Sequence, residues 1–179
     1  MIVGQLAVDY HATQHLENTM NTWIKLLTTC SAVGSGLIAG TFFIFSVVIM
    51  PVLAKGNTDH NLQVMRGIND VILRSSFMPV FGVTTLLSLV LPCVAAYQKS
   101  PGLGLTIAAG AIFLIGVFGV TMFFNVPLND QLAKDQAQLV QEVWPNYLKT
   151  WTMWNHLRTA AATISMALWI LAMTMRAEG

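Results

Sequence analysis

Charge is what this chain has least of. Nine Lys and Arg and eight Asp and Glu make up 9% of its 179 residues, against 55% hydrophobic residues. An average soluble domain is about 25% charged, so a water-exposed surface of ordinary composition is excluded. The near-neutral balance provides no clustered basic face, and nucleic acid is set aside as a partner. Cysteine is nearly absent too. Cys30 and Cys93 fall in apolar runs without metal-ligand spacing, where they read as small hydrophobes and report no redox compartment. No Lys or Arg precedes Lys25, so the first segment lacks the basic opening of a signal peptide. Linkers and low-complexity stretches are also missing, and the length suits one compact unit.

What the chain does have is four charge-free runs: from Lys25 to Lys55, Arg74 to Lys99, Lys99 to Asp130 and Arg158 to Arg176. A bilayer core takes about 20 mostly apolar residues per helix, and each run is long enough. The reading is all-α: an integral membrane, multi-pass four-helix bundle with spans at about 26–53, 77–97, 103–124 and 158–175. These form a single domain, 26–179, behind a polar N-terminal tail, 1–25. Met20, followed by Lys25 and the first apolar run, is a second candidate start. His11 and His15 share one helical face, as in some metal sites, but no third ligand accompanies them and a solvated tail is the expectation.

Four spans put the termini and the 98–102 turn on one side and two long connections on the other. Lys and Arg, scaled by segment length, do not distinguish the sides, so the positive-inside rule sets no orientation. Oligomeric state is equally open. Both connections carry helical patterns. After the capping residues Asn57, Thr58 and Asp59, apolar positions recur at Leu62, Met65, Ile68 and Ile72, which predicts an amphipathic helix over the bundle mouth. In the second connection Leu128, Leu132, Leu139 and Val143 keep helical spacing until Pro145, which is expected to interrupt it. A further helix carrying Tyr147, Trp151, Trp154, Asn155 and Arg158 should then run unbroken into the fourth span.

Several features have two readings. Gly36 and Gly40 have the spacing for close helix packing, and Gly110, Gly116 and Gly119 leave room for neighbours or for a flat ligand. Pro51 frees a carbonyl that Ser46 can satisfy, and Pro92 predicts a kink or an early helix break. Trp151 and Trp154 fit an interfacial aromatic belt, and Arg158 fits a snorkelling anchor. Against those bland readings stands a convergence on the side of the long connections. Asn125 and Asn129 flank Pro127, Asn155, His156 and Arg158 lead into the fourth span, and Arg66 and Asn69 lie on the covering helix. Asparagine and arginine at membrane depth require partners or a wet cavity, so a polar pocket at one mouth of an apolar bundle competes with simple helix capping.

The runs Phe42-Phe43-Ile44-Phe45-Ser46 to Met50-Pro51, Met65-Arg66-Gly67-Ile68-Asn69, Thr121 with Asn125-Val126-Pro127-Leu128-Asn129, and Trp151 with Trp154-Asn155-His156-Leu157-Arg158-Thr159 occur in that order. In them the chain resembles the anthrone-oxygenase-like family of small membrane proteins. Arg66 stands where many relatives are expected to carry glutamine. The resemblance implies four membrane helices and, for some members, oxidation of an anthrone to an anthraquinone by dioxygen. Loss of a proton from an anthrone gives a delocalised anion that can reduce dioxygen directly, so no cofactor is required and dioxygen is the co-substrate. On this reading His156 is the general base, and Arg158, Asn125 and Asn155 hold the developing oxyanion. Trp151 and Trp154 stack on flat rings, and Asn129, Asn69, Arg66 and Ser46 complete the substrate site. A lipophilic small molecule and the lipid bilayer are the expected partners, and with a single histidine in the cluster no metal is expected. The alternative is a non-enzymatic membrane protein that binds a lipid or small hydrophobe or assists a partner. A transporter is disfavoured, since the chain shows neither an inverted repeat nor an intramembrane acid.

Overall fold

A computed structural model describes the backbone of residues 2–134 and 140–178, and side chains over 14–15, 18–133 and 143–176. Leu139 and the His11 side chain, both part of the sequence reading, lie outside the described residues. All regular structure among the described residues is helical: α1 (Ile2–Ile44), α2 (Met50–Leu53), α3 (Thr58–Arg74), α4 (Phe77–Tyr97), α5 (Leu103–Ile112), α6 (Val126–Lys134) and α7 (Val140–Glu178). Three π-helical segments, Phe45–Ile49, Phe113–Gly119 and Thr121–Asn125, join α1 to α2 and α5 to α6. Four helices are long and apolar enough to cross a membrane: Asn18–Leu53, Phe77–Tyr97, Leu103–Ala133 and Val143–Arg176.

The outward faces of these helices are apolar, with Leu37, Leu86, Ile115 and Phe123 all more than half exposed. Their inward faces carry Thr28, Ser31, Ser35, Thr84, Ser88, Thr106 and Ser165, all buried. Water would not select that inversion; a hydrocarbon surround does, because backbone and hydroxyl groups must then find partners inside. Thr28, Thr84 and Thr106 bond back to carbonyls of their own helices, and Ser165 donates to Ala109 of α5. The hydroxyls of Ser31, Ser35 and Ser88 have no partner among the described residues, and tight seams hold the helices together there. A Cβ at Gly116 would lie 2.6 Å from the Ala161 Cβ, so α7 packs directly on the backbone of the third long helix, and a neighbouring helix fills the space that the sequence left open to a ligand. The Gly36–Gly40 seam forms only in part: a Cβ at Gly36 would lie 2.9 Å from Met166 Sδ of α7, nothing lies within 4 Å of one at Gly40, and Gly34 makes a further close approach, to Thr84 of α4.

The prolines behave differently from expectation. Neither Pro92 nor Pro145 ends a helix: α4 continues to Tyr97, and α7 runs through Pro145. Pro145 lies only a few residues from the start of α7, where few intrahelical bonds have yet to be lost. Asn125 does not mark the end of the third helix either, which continues as far as Ala133 and so carries Leu128 and Leu132. Pro51 and Pro127 are each preceded by a π turn, in which Met50 N–H donates to Phe45 O and Val126 N–H to Thr121 O. A missing proline N–H leaves the ladder free to widen by one residue.

The covering helix forms as its pattern indicates. Asn57 caps α3 by accepting from His60 N–H at 3.0 Å, and Leu62 and Met65 are buried. They join Phe45, Met50, Leu53, Leu132, Trp144, Tyr147 and Trp151 in one apolar cluster, so both long connections pack together at one end of the bundle. Arg66 Nε ties α3 to α6 by donating to Leu132 O at 2.7 Å.

Candidate active site

Between α3 and the four long helices lies a cavity of about 110 Å³, lined mainly by Phe42, Phe45, Phe77, Phe81, Ile68, Ile72 and Trp151, with Thr41, Thr121, Asn69, Asn129 and Arg158 as its polar residues. Two π segments border it and supply Phe45 and Thr121 to its lining. Widening the helix by one residue rotates the following side chains, and the first turn sets Phe45 and Ser46 inward while the second does the same for Asn125.

Arg158 is the centre of the arrangement. It is 4% exposed, and no carboxylate among the described residues pairs with it. One guanidinium nitrogen donates to Asn155 Oδ1 at 2.6 Å and the other to Thr121 Oγ1 at 3.2 Å. Its Cζ sits 4.1 Å from the Phe42 ring centroid and 5.2 Å from that of Trp151. Two charge-assisted hydrogen bonds and a desolvated cation–π contact each contribute about 2 kcal/mol, which only partly offsets the several kcal/mol needed to bury an unpaired cation. The guanidinium is therefore held in place but not neutralised. Its Nε has no acceptor, and Asn125 Oδ1, also buried, has no donor.

A second layer fixes that guanidinium. Asn155, fully buried, donates to Phe42 O at 2.6 Å and to Ser46 Oγ at 2.7 Å, which locks α7 to α1 and orients its own carbonyl at Arg158. Ser46 thus serves Asn155 rather than the carbonyl freed by Pro51. Asn125 donates to Trp151 O at 3.3 Å. Asn129 Oδ1 receives both Tyr147 Oη–H and Trp151 Nε1–H at 2.9 Å, and Asn69 lines the same cavity. The structure thus brings together Arg158, Asn155, Asn125, Ser46, Trp151, Asn129 and Asn69. Thr121, Tyr147 and Phe42 are members that the sequence reading did not assign.

Three of the sequence-derived residues, His156, Trp154 and Arg66, lie outside the cavity. His156 is exposed and lines a separate open groove with Pro51, Lys149 and Met153. Adjacent helical residues point about 100° apart, so burying Asn155 turns His156 away from the cavity. Trp154 stacks on Phe124, with centroids 3.8 Å apart, and is also absent from the cavity lining. Arg66 acts as the staple to Leu132 described above. No group of three or more His, Cys, Asp or Glu that could hold a metal comes together among the described residues.

The family model for anthrone oxygenase matches residues 71–168, more than half of the chain. The chain belongs to the anthrone oxygenase family. Within this family member the matched stretch contains Thr121, Asn125, Asn129, Trp151, Asn155 and Arg158, the polar frame of the cavity. The apolar wall supplied by Phe42, Phe45 and Ile68 lies outside it. Comparison with curated proteins and with solved structures returns no match.

Proposed function

We propose that this protein is a multi-pass membrane oxygenase that oxidises a flat, lipophilic anthrone- or phenol-like molecule with dioxygen and without a resident cofactor. The observation that carries the reading is the buried Arg158, unpaired with any described carboxylate and set in an aromatic cavity. Such a site favours a ligand that is apolar over most of its surface and anionic at one oxygen. Family membership points to the same substrate class.

For an anthrone, the reaction begins as the methylene between the two rings loses a proton to water at the cavity mouth. The negative charge moves onto the ketone oxygen, where the cationic Arg158 that lines the cavity stabilises it. One electron then passes from the anion to dioxygen, and the radical and superoxide combine to form a carbon–oxygen bond. Protonation gives a hydroperoxide. Loss of the second methylene proton with departure of hydroxide breaks the O–O bond and forms the new carbonyl. The sum is one CH2 and one O2 converted to one C=O and one water. Phe42 and Trp151 sandwich the guanidinium and keep water from competing for it. His156, outside the cavity, has no part in this scheme.

A specific observation favours a second reading: the cavity lining holds no carboxylate or imidazole to take the proton. A protein that binds a lipophilic anion without turning it over fits that lining. Dioxygen uptake by purified protein with a panel of anthrones and hydroquinones separates the two. The oxygenase reading expects one O2 consumed per anthrone, with the matching quinone formed. Tight binding of the same compounds without uptake would replace it with the binding reading.

A further inference from the structure

The opposite end of the bundle, which carries the 98–102 turn and the C-terminal end of α7, holds a second polar site that the oxygenase reading does not use. A pocket of about 230 Å³ is lined by Asn21, Ile24 and Lys25 of α1, Ser100 and Pro101 of the turn, and Arg176 in the last turn of α7. The turn is built against α7: Gly102 has φ 75°, and a Cβ there would lie 3.3 Å from Ala172 O and 3.2 Å from Met175 Cβ. Three separate segments are therefore held around one space.

Its charge is one-sided. Lys25 and Arg176 contribute two cations, and no acid among the described residues lines the pocket. Arg176 Nε and Nη2 are shielded from solvent and have no acceptor among the described residues. A guanidinium that lines a pocket, as Arg176 does, can meet two oxygens of a phosphate or carboxylate at once. The pocket is too roomy for a carboxylate alone, while Ser100 and Asn21 add neutral donors of the kind that complete a phosphate's shell. Its depth is marked by Trp23, 61% exposed, and Tyr97, 91% exposed, amphipathic rings of the sort that settle at headgroup level.

We propose that this pocket binds a phosphate group at the membrane surface, with Lys25 and Arg176 as the cationic clamp and Asn21 and Ser100 as supporting donors. Basic pockets between helix ends commonly hold anionic lipid headgroups, and the flanking aromatic residues favour that source over free phosphate.

The test uses the full chain in a neutral detergent, with melting midpoint and native mass spectrometry as readouts. Phosphatidylglycerol, phosphatidylcholine and inorganic phosphate are titrated separately. Phosphatidylglycerol is expected to raise the midpoint and stay bound, with Lys25→Gln and Arg176→Gln each weakening half-saturation about tenfold, the loss of one charge-assisted contact. Arg74→Gln, which removes an exposed cation paired with Asp70 at the other end, should leave the titration unchanged. If inorganic phosphate alone reproduces the shift with the same dependence on Lys25 and Arg176, the site takes free phosphate. Should Arg176→Gln fail to fold, Arg176→Lys keeps the charge without the fork and is expected to bind more weakly than the parent. A phosphatidylglycerol shift that survives these substitutions, or that falls equally with Arg74→Gln, overturns the proposal, as does no response to either phosphate source.

Discussion

Replacing Arg158 with lysine separates a catalytic cation from a membrane anchor. The guanidinium spans two partners, Thr121 Oγ1 at 3.2 Å and Asn155 Oδ1 at 2.6 Å, and lines the cavity. A lysine ammonium keeps the charge but is a single point on a flexible stem, and it cannot hold both partners and also present a fixed donor to substrate. One charge-assisted hydrogen bond is worth about 1.5–3 kcal/mol, which corresponds to a loss of roughly ten- to hundredfold in kcat/KM. Part of the same loss should appear in stability, since the bridge from α7 to Thr121 is the weaker of the two and would be surrendered first. The assay is anthrone-dependent dioxygen uptake at matched protein levels, with thermal melting in detergent as the control for folding. A snorkelling arginine needs only its charge and would leave both readouts unchanged. Parental kcat/KM in Arg158→Lys would refute the oxyanion role.

Asn155→Ala should cost about 3–5 kcal/mol in detergent melting experiments, because it orphans Phe42 O, Ser46 Oγ and one Arg158 nitrogen together. Gly116→Ala should destabilise by about 1–3 kcal/mol by pushing on Ala161, whereas Gly40→Ala, with open space beyond it, should be neutral or slightly stabilising; equal melting points for the two would contradict the packing described. His156→Gln should retain parental uptake, since its side chain faces a different groove; a drop in kcat with unchanged KM would restore it as the proton acceptor. Reporters placed after residue 56 and within 130–142 should lie on the opposite side of the membrane from reporters at Lys99 and the C-terminus, and a split between the first two would break the shared mouth.

The four long helices were legible because charge-free runs leave little alternative, and α3 was legible from its Asn57 cap and the spacing of Leu62, Met65, Ile68 and Ile72. The polar frame was legible in part. Asn125, Asn155 and Arg158 stand out as costly groups in an apolar context, and burial of all three follows from that cost. Three things were hidden. The π turns have no pattern of their own, although Pro51 and Pro127 stand just after two of them and were the available signal. Thr121 and Tyr147 look like ordinary helix residues, and only tertiary placement makes them partners of Arg158 and Asn129. His156 was assigned as the one imidazole of the constellation, but its place next to the buried Asn155 puts its side chain on another helix face. Pro92, expected to kink or end its helix, does not end it, and Pro145 does not interrupt α7, because a long packed helix tolerates one missing bond.

The cation midway along α7 also bears on how the chain is made. An isolated helix carrying arginine inserts at a penalty of about 2.5–3.5 kcal/mol, and docked partners remove much of it. Every group that receives Arg158 or steadies its acceptor from another helix, Phe42, Ser46 and Thr121, is encoded upstream. During synthesis the first three long helices are therefore complete before the arginine leaves the ribosome. The last helix is delivered into a berth already prepared for its charge, and a rearranged gene that moved α7 to the front would have to lodge that charge in lipid while waiting for its hosts.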